Sequence, residues 1–111
     1  KEILIINRGA NKYLEDSTLL TDEDSLSEFC DLHKKMQPYG SHPNVKSNFG
    51  FFEIIITTTE NNKMNMRVIY TVYEGVVIRD FHGGFYKQDK YDDFIIRKSN
   101  KKGVKVDSYL P

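Results

Sequence analysis

Residues 79–91 read RDFHGGFYKQDKY, so an arginine, a histidine before a glycine pair, then an aromatic pair and two lysines precede a final tyrosine. Guanidinium forks match phosphate oxygens, and aromatic rings stack on unpaired bases. Together with Arg67 upstream, the set Arg67, Arg79, His82, Tyr86, Lys87, Lys90 and Tyr91 has the composition of a nucleic-acid cleft. A plainer reading stands beside it. Gly83-Gly84 supplies backbone angles that other residues resist. One face of a two-layer antiparallel sheet is polar simply because it meets water.

Other chemistries find less support. His82-Gly83-Gly84 has the form of an oxyanion hole, but the G-x-S-x-G elbow that would accompany it is missing from the sequence. The three histidines, His33, His42 and His82, have no partner at metal-ligand spacing, and neither H-E-x-x-H nor C-x-x-C occurs. No phosphate loop and no dinucleotide fingerprint is present. Neither a metal nor a cofactor is therefore expected. His33 falls on the apolar side of a helical pattern and reads as a core or boundary residue. His42, before a proline, reads as solvated.

Length and composition bound what can position such a site. The 111 residues make one domain, 1–111, with 39% apolar residues and with seven Phe and seven Tyr to supply burial. The lone Cys30 rules out an intrachain disulfide and a multi-cysteine zinc site. Net charge is zero, but residues 1–60 carry 6 basic and 10 acidic residues, and residues 61–111 carry 10 and 6. A basic half attracts polyanions by counterion release. No apolar run reaches the roughly 18–20 residues of a membrane span, and no signal-peptide pattern is visible. A cytoplasmic location is expected, with a removed leader as the alternative.

Along the chain, KEILIIN (1–7) reads as a buried strand. Residues 8–20 read as a short helix or a loop. In 21–40, Leu26, Phe29, Cys30, His33 and Met36 or Gln37 recur at helical spacing. Thr21 with Asp24, or Ser25 with Glu28, offers the N-terminal cap, and Pro38 and Gly40 stop the helix. Residues 41–48 form a loop. FGFFEIIITTT (49–59) and MNMRVIYTVY (64–73) alternate as hairpin strands about ENNK. The alternation puts Met66, Val68, Tyr70 and Val72 on one face and Arg67, Ile69, Thr71 and Tyr73 on the other. VVIRDF (76–81) is a third strand whose register the sequence leaves open. Residues 90–102 read equally as a helix or a strand, and 103–111 as an edge strand or a tail. The class is α+β: an N-terminal strand and one main helix packed on one face of an antiparallel meander of about four strands.

Residues 43–91 resemble the RelE/ParE/HigB superfamily of toxin-type mRNA endoribonucleases. The likeness rests on SHPNVKSNFGFFEIII, then MRVIYTVYEGVVI, then FHGGFYKQDKY, in that order and spacing. It implies metal-independent cleavage in which the RNA 2′-hydroxyl attacks the adjacent phosphorus and cations hold the charge building on its oxygens. It places Arg67 at the scissile phosphate and gives catalytic roles to His82, Lys87 and Tyr91, with Arg79, Lys90 and Tyr86 contacting RNA. Lys87 or His82 would move protons. The partners implied are an antitoxin and RNA on the ribosome. Members are strongly basic and carry two helices after the first strand, whereas this chain is neutral and residues 8–20 make a poor first helix.

The order strand, helix, meander also fits a cystatin-like protein-binding module, such as an immunity or inhibitor protein, secreted or lipid-anchored. In that case Tyr70, Tyr73, Phe85 and Tyr86 anchor a protein partner, and the acidic stretch 15–31 meets a basic one. Residues 90–98 separate the two expectations. A helix there accords with the toxin fold, a strand with the binding module.

Overall fold

A computed structural model describes residues 1–39, 50–71, 75–79 and 84–100. The strands are β1 (Glu2–Arg8), β2 (Ser17–Leu20), β3 (Gln37–Pro38), β4 (Phe51–Thr57), β5 (Lys63–Thr71), β6 (Gly75–Arg79) and β7 (Phe85–Lys87). Two helices, α1 (Glu23–Lys34) and α2 (Lys90–Ser99), complete the fold. The strands form one sheet in the order β2-β1-β4-β5-β6-β7-β3, and every pairing is antiparallel. The α+β class is as the sequence indicates, and β4 to β7 are consecutive neighbours. The sheet is wider than the expected four strands, and it carries two helices.

The sheet is built on the period-two alternation of its central strands. Ile5 of β1 pairs with Ile54 of β4, which pairs with Met66 of β5. One row along, Phe52 pairs with Val68, which pairs with Ile78 of β6. All six side chains are buried on one face, and both helices pack there. From α1 come Phe29 and Leu32, and from α2 come Tyr91, Phe94 and Ile95. The hairpin joining β4 to β5 turns through Asn61 at φ 63°, and Asn tolerates that left-handed backbone.

The ambiguous segments resolve for identifiable reasons. Residues 17–20 add β2 to the free edge of β1. The loop before it is organised by Asn7, whose Oδ1 accepts from the Ala10 and Asn11 amides at 2.9 and 3.2 Å. Residues 37–38 add β3 beside β7 at the other edge, the one place in a sheet where Pro38 is tolerated. Helix α1 is capped between the two expected positions, one residue after Thr21 and three before Ser25. Asp22 is the N-cap, its carboxylate accepting from the Ser25 amide at 3.0 Å. Hydrogen bonding by the Ser25 side chain, and then by its amide, holds the carboxyl below its ordinary pKa.

Residues 90–99 are helical because Tyr91, Phe94, Ile95 and Ser99 share one buried stripe. Arg97 then reaches Asp93 within α2 at 2.8 Å and Glu28 on α1, an exposed bridge between the helices. Such surface pairs contribute about 0–1 kcal/mol, so the stripe rather than the bridge holds α2 in place. Among the described residues no helix is long and apolar enough to cross a membrane. Phe94→Ala is expected to destabilise the fold by about 3–5 kcal/mol and Arg97→Ala by about 1 kcal/mol or less. Urea denaturation followed by circular dichroism measures both.

Candidate functional site

The alternation that buries Met66 and Val68 turns Arg67 to the face away from the helices. In register across that face run Glu53 of β4, Arg67 of β5, Arg79 of β6 and Phe85 of β7. Two arginines thus stand directly opposite each other on neighbouring strands. Like charges in that relation repel. Both arginines are solvent-exposed, and both lean on aromatic rings. The Arg67 guanidinium carbon is 4.7 Å from the centre of the Phe51 ring, and that of Arg79 is 6.0 Å from the Phe85 ring. Cation–π attraction at exposed sites is worth about 0.5–1 kcal/mol each.

Among the described residues, carboxylate neutralisation is withheld from the pair. Glu53 is the acidic neighbour in register with Arg67, but its Oε1 accepts from Arg8 Nε at 3.1 Å and from Arg8 Nη2 at 2.9 Å. Its Oε2 accepts from Asn65 Nδ2 at 2.8 Å. Among the described residues neither Arg67 nor Arg79 has an ion-pair partner. Gly50 keeps the Phe51 end of this arrangement close to β1. Its φ is +69°, and a Cβ there would stand 2.6 Å from the Arg8 carbonyl oxygen.

The other residues expected at the site are distributed unevenly. Lys87 shares the face with the arginines, two positions along β7 from Phe85, and its Nζ lies 3.7 Å from Asp89 Oδ1. Tyr86 alternates to the opposite face, where it packs on the edge of the core. Lys90 is exposed at the start of α2. Tyr91 does not join the set. It is fully buried in the core on the helix side, with its hydroxyl 3.3 Å from His33 Nδ1 and its ring 5.4 Å from that of Phe29. Its place in the helical stripe puts it there, so it is a core residue rather than a member of the arginine face. His82 lies outside the described residues, as do His42, Tyr73 and Val72. Among the described residues no three His, Cys, Asp or Glu side chains cluster to hold a metal.

Two participants were not singled out from the sequence. Phe51 supports Arg67, and Arg8 occupies Glu53. Glu53 alternates with the buried Phe52 and Ile54, so the period-two pattern turns it away from the core. Pairing β1 beside β4 was the missing step that brings in Arg8. The same face changes character towards β2. Leu19, 54% exposed, pairs with Leu4, which pairs with Ile55, and these last two are half-buried. Ile69 and Val77 belong to this face by register and are buried outside the main core cluster.

Comparison with known proteins finds no matching family model, no matching curated sequence and no matching solved structure. The geometry therefore carries the reading by itself. If the arginines repel across the strands, Arg79→Gln raises stability at low ionic strength by roughly 0.2–1 kcal/mol. The gain disappears near 1 M salt, where the Debye length falls to about 3 Å. Paired urea titrations at the two salt concentrations measure it.

Proposed function

We propose that this protein binds single-stranded RNA on the arginine-bearing face of its sheet and cleaves it as a metal-independent, toxin-type endoribonuclease. One observation carries the reading: Arg67 and Arg79 face each other in register, exposed, each resting on an aromatic ring, with no carboxylate partner among the described residues. Two guanidinium forks side by side match the non-bridging oxygens of a phosphodiester. Their mutual repulsion is relieved when an anion lies between them. The helix over 90–99 supports the same reading, since the toxin-type fold expects one there.

In this reading the RNA 2′-oxygen attacks the neighbouring phosphorus, and the bond to the 5′-oxygen breaks. Arg67 and Arg79 hold the negative charge that accumulates on the phosphoryl oxygens. Lys87, on the same face, delivers a proton to the departing 5′-oxygen. The 2′-hydroxyl proton passes to His82, which the resemblance names with Lys87 as a proton carrier. Lys90 adds a cation that steers the strand. Tyr91 takes no part. An antitoxin would be a protein that covers this face.

A second reading has its own support. The Leu19–Leu4–Ile55 strip adjoins the arginines, and an apolar strip bordered by cations suits a protein partner with an acidic rim. That would make the chain a non-enzymatic binding module of the immunity or inhibitor kind.

Fluorescence anisotropy with a labelled oligouridylate, and gel analysis of its fragments in EDTA, test the proposal. Binding is expected to weaken with salt, with a slope of about −0.7 per phosphate contacted. Arg67→Ala and Arg79→Ala should each weaken it by about tenfold or more, the loss of a charge-assisted hydrogen bond. Arg67→Ala should abolish cleavage, while Leu19→Asp changes neither property. RNA that is neither bound at 50 mM salt nor cut by the native chain would contradict the proposal. A partner protein lost on Leu19→Asp would then favour the binding module.

A further inference from the structure

The helix side of the sheet holds a separate feature, independent of the arginine face. Between α1 and the ends of β1, β4 and β5 lies a groove of about 290 Å³. Its walls are Ile3, Ile56 and Met64 from the strands and Leu26, Phe29 and Cys30 from the helix. They are almost wholly apolar, and Ile3 and Phe29 are buried behind it. Lys34 and His33, at the end of α1, also line it, as does Lys1. No aspartate or glutamate is among the lining residues. Lys34 is exposed and has no ion-pair partner among the described residues.

An apolar slot with cations at its margin selects a particular chemistry. The walls reward a hydrocarbon body with about 25 cal/mol per Å² buried. The margin rewards one negative charge and repels another cation. At about 290 Å³ the groove stands at the small end of the roughly 300–1,000 Å³ range of small-molecule sites. That size, with the cations at its margin, suits a short acyl or aryl chain ending in a carboxylate.

We propose that this groove binds a small amphipathic carboxylate, with its apolar body between α1 and the sheet and its carboxylate at Lys34. Occupancy ties α1 to the strand ends and so stabilises the fold by mass action. Cys30, the one cysteine of the chain, lies in the groove wall and is half-buried. It reports occupancy directly.

Octanoate is the probe, octanol the uncharged control, and the rate of Cys30 alkylation by iodoacetamide the readout, with calorimetric titration alongside. Saturating octanoate is expected to slow alkylation several-fold and to raise the thermal midpoint. Octanol should bind at least about fivefold more weakly, the scale of a surface ion pair. Lys34→Glu, at an exposed position that leaves the fold intact, should weaken octanoate by at least that factor and leave octanol unchanged. Met64→Trp fills the groove and should prevent both from binding. Octanoate that neither binds nor protects Cys30 overturns the proposal. So does equal affinity for octanol, or an affinity that Lys34→Glu does not alter. Protection of Cys30 that follows protein concentration instead of octanoate also overturns it, assigning the groove to a second copy of the chain.

Discussion

Met66 and Val68 are sealed against the helices, and Arg67 between them has one direction left. This alternation in β5 is the constraint on which the other features rest. A slip of one residue against β4 would drive the guanidinium into the core and lift Met66 and Val68 into water. The cost of burying an unpaired charge makes that slip prohibitive. The register also decides the company Arg67 keeps, because the same pairing that sets Ile54 on Met66 sets Glu53 on Arg67 and Arg67 on Arg79.

In a chain of zero net charge, Arg67 and Arg79 have no ion pair among the described residues. Three acidic residues of the first half have partners of their own. Asp22 caps α1, Glu28 ties α1 to Arg97, and Glu53 is turned to Arg8 and Asn65. Overall neutrality therefore says little about the local field. The aromatic rings under the two arginines partly offset their repulsion and leave their outward edges free to donate.

The sequence speaks clearly where burial is one-sided. In β4 and β5 the apolar residues alternate, so the face of Arg67 can be read directly. In β6, Val76, Val77 and Ile78 are all buried, and a run without alternation has no readable register. Arg79 could not be placed opposite Arg67 for that reason. Tyr91 misleads for another. Its hydroxyl suggests a surface role, yet its partner is His33, 58 residues away on α1. Helix and strand stand equal over 90–102 in the sequence, and the stripe of Tyr91, Phe94 and Ile95 emerges only with a sheet for it to pack on. The edge strands β2 and β3, of four and two residues, are too short to leave a periodic signal.

The most direct measurement of the central claim is a titration of the protein with oligouridylate in EDTA, followed through the arginine Nε–Hε resonances and backbone amides. The account requires the Arg67 and Arg79 signals to move first and together, with the amides of β5 and β6, while those around Tyr91 stay in place. Shifts confined to the Leu19 strip or to the groove beneath α1, or no shifts at all, would contradict it.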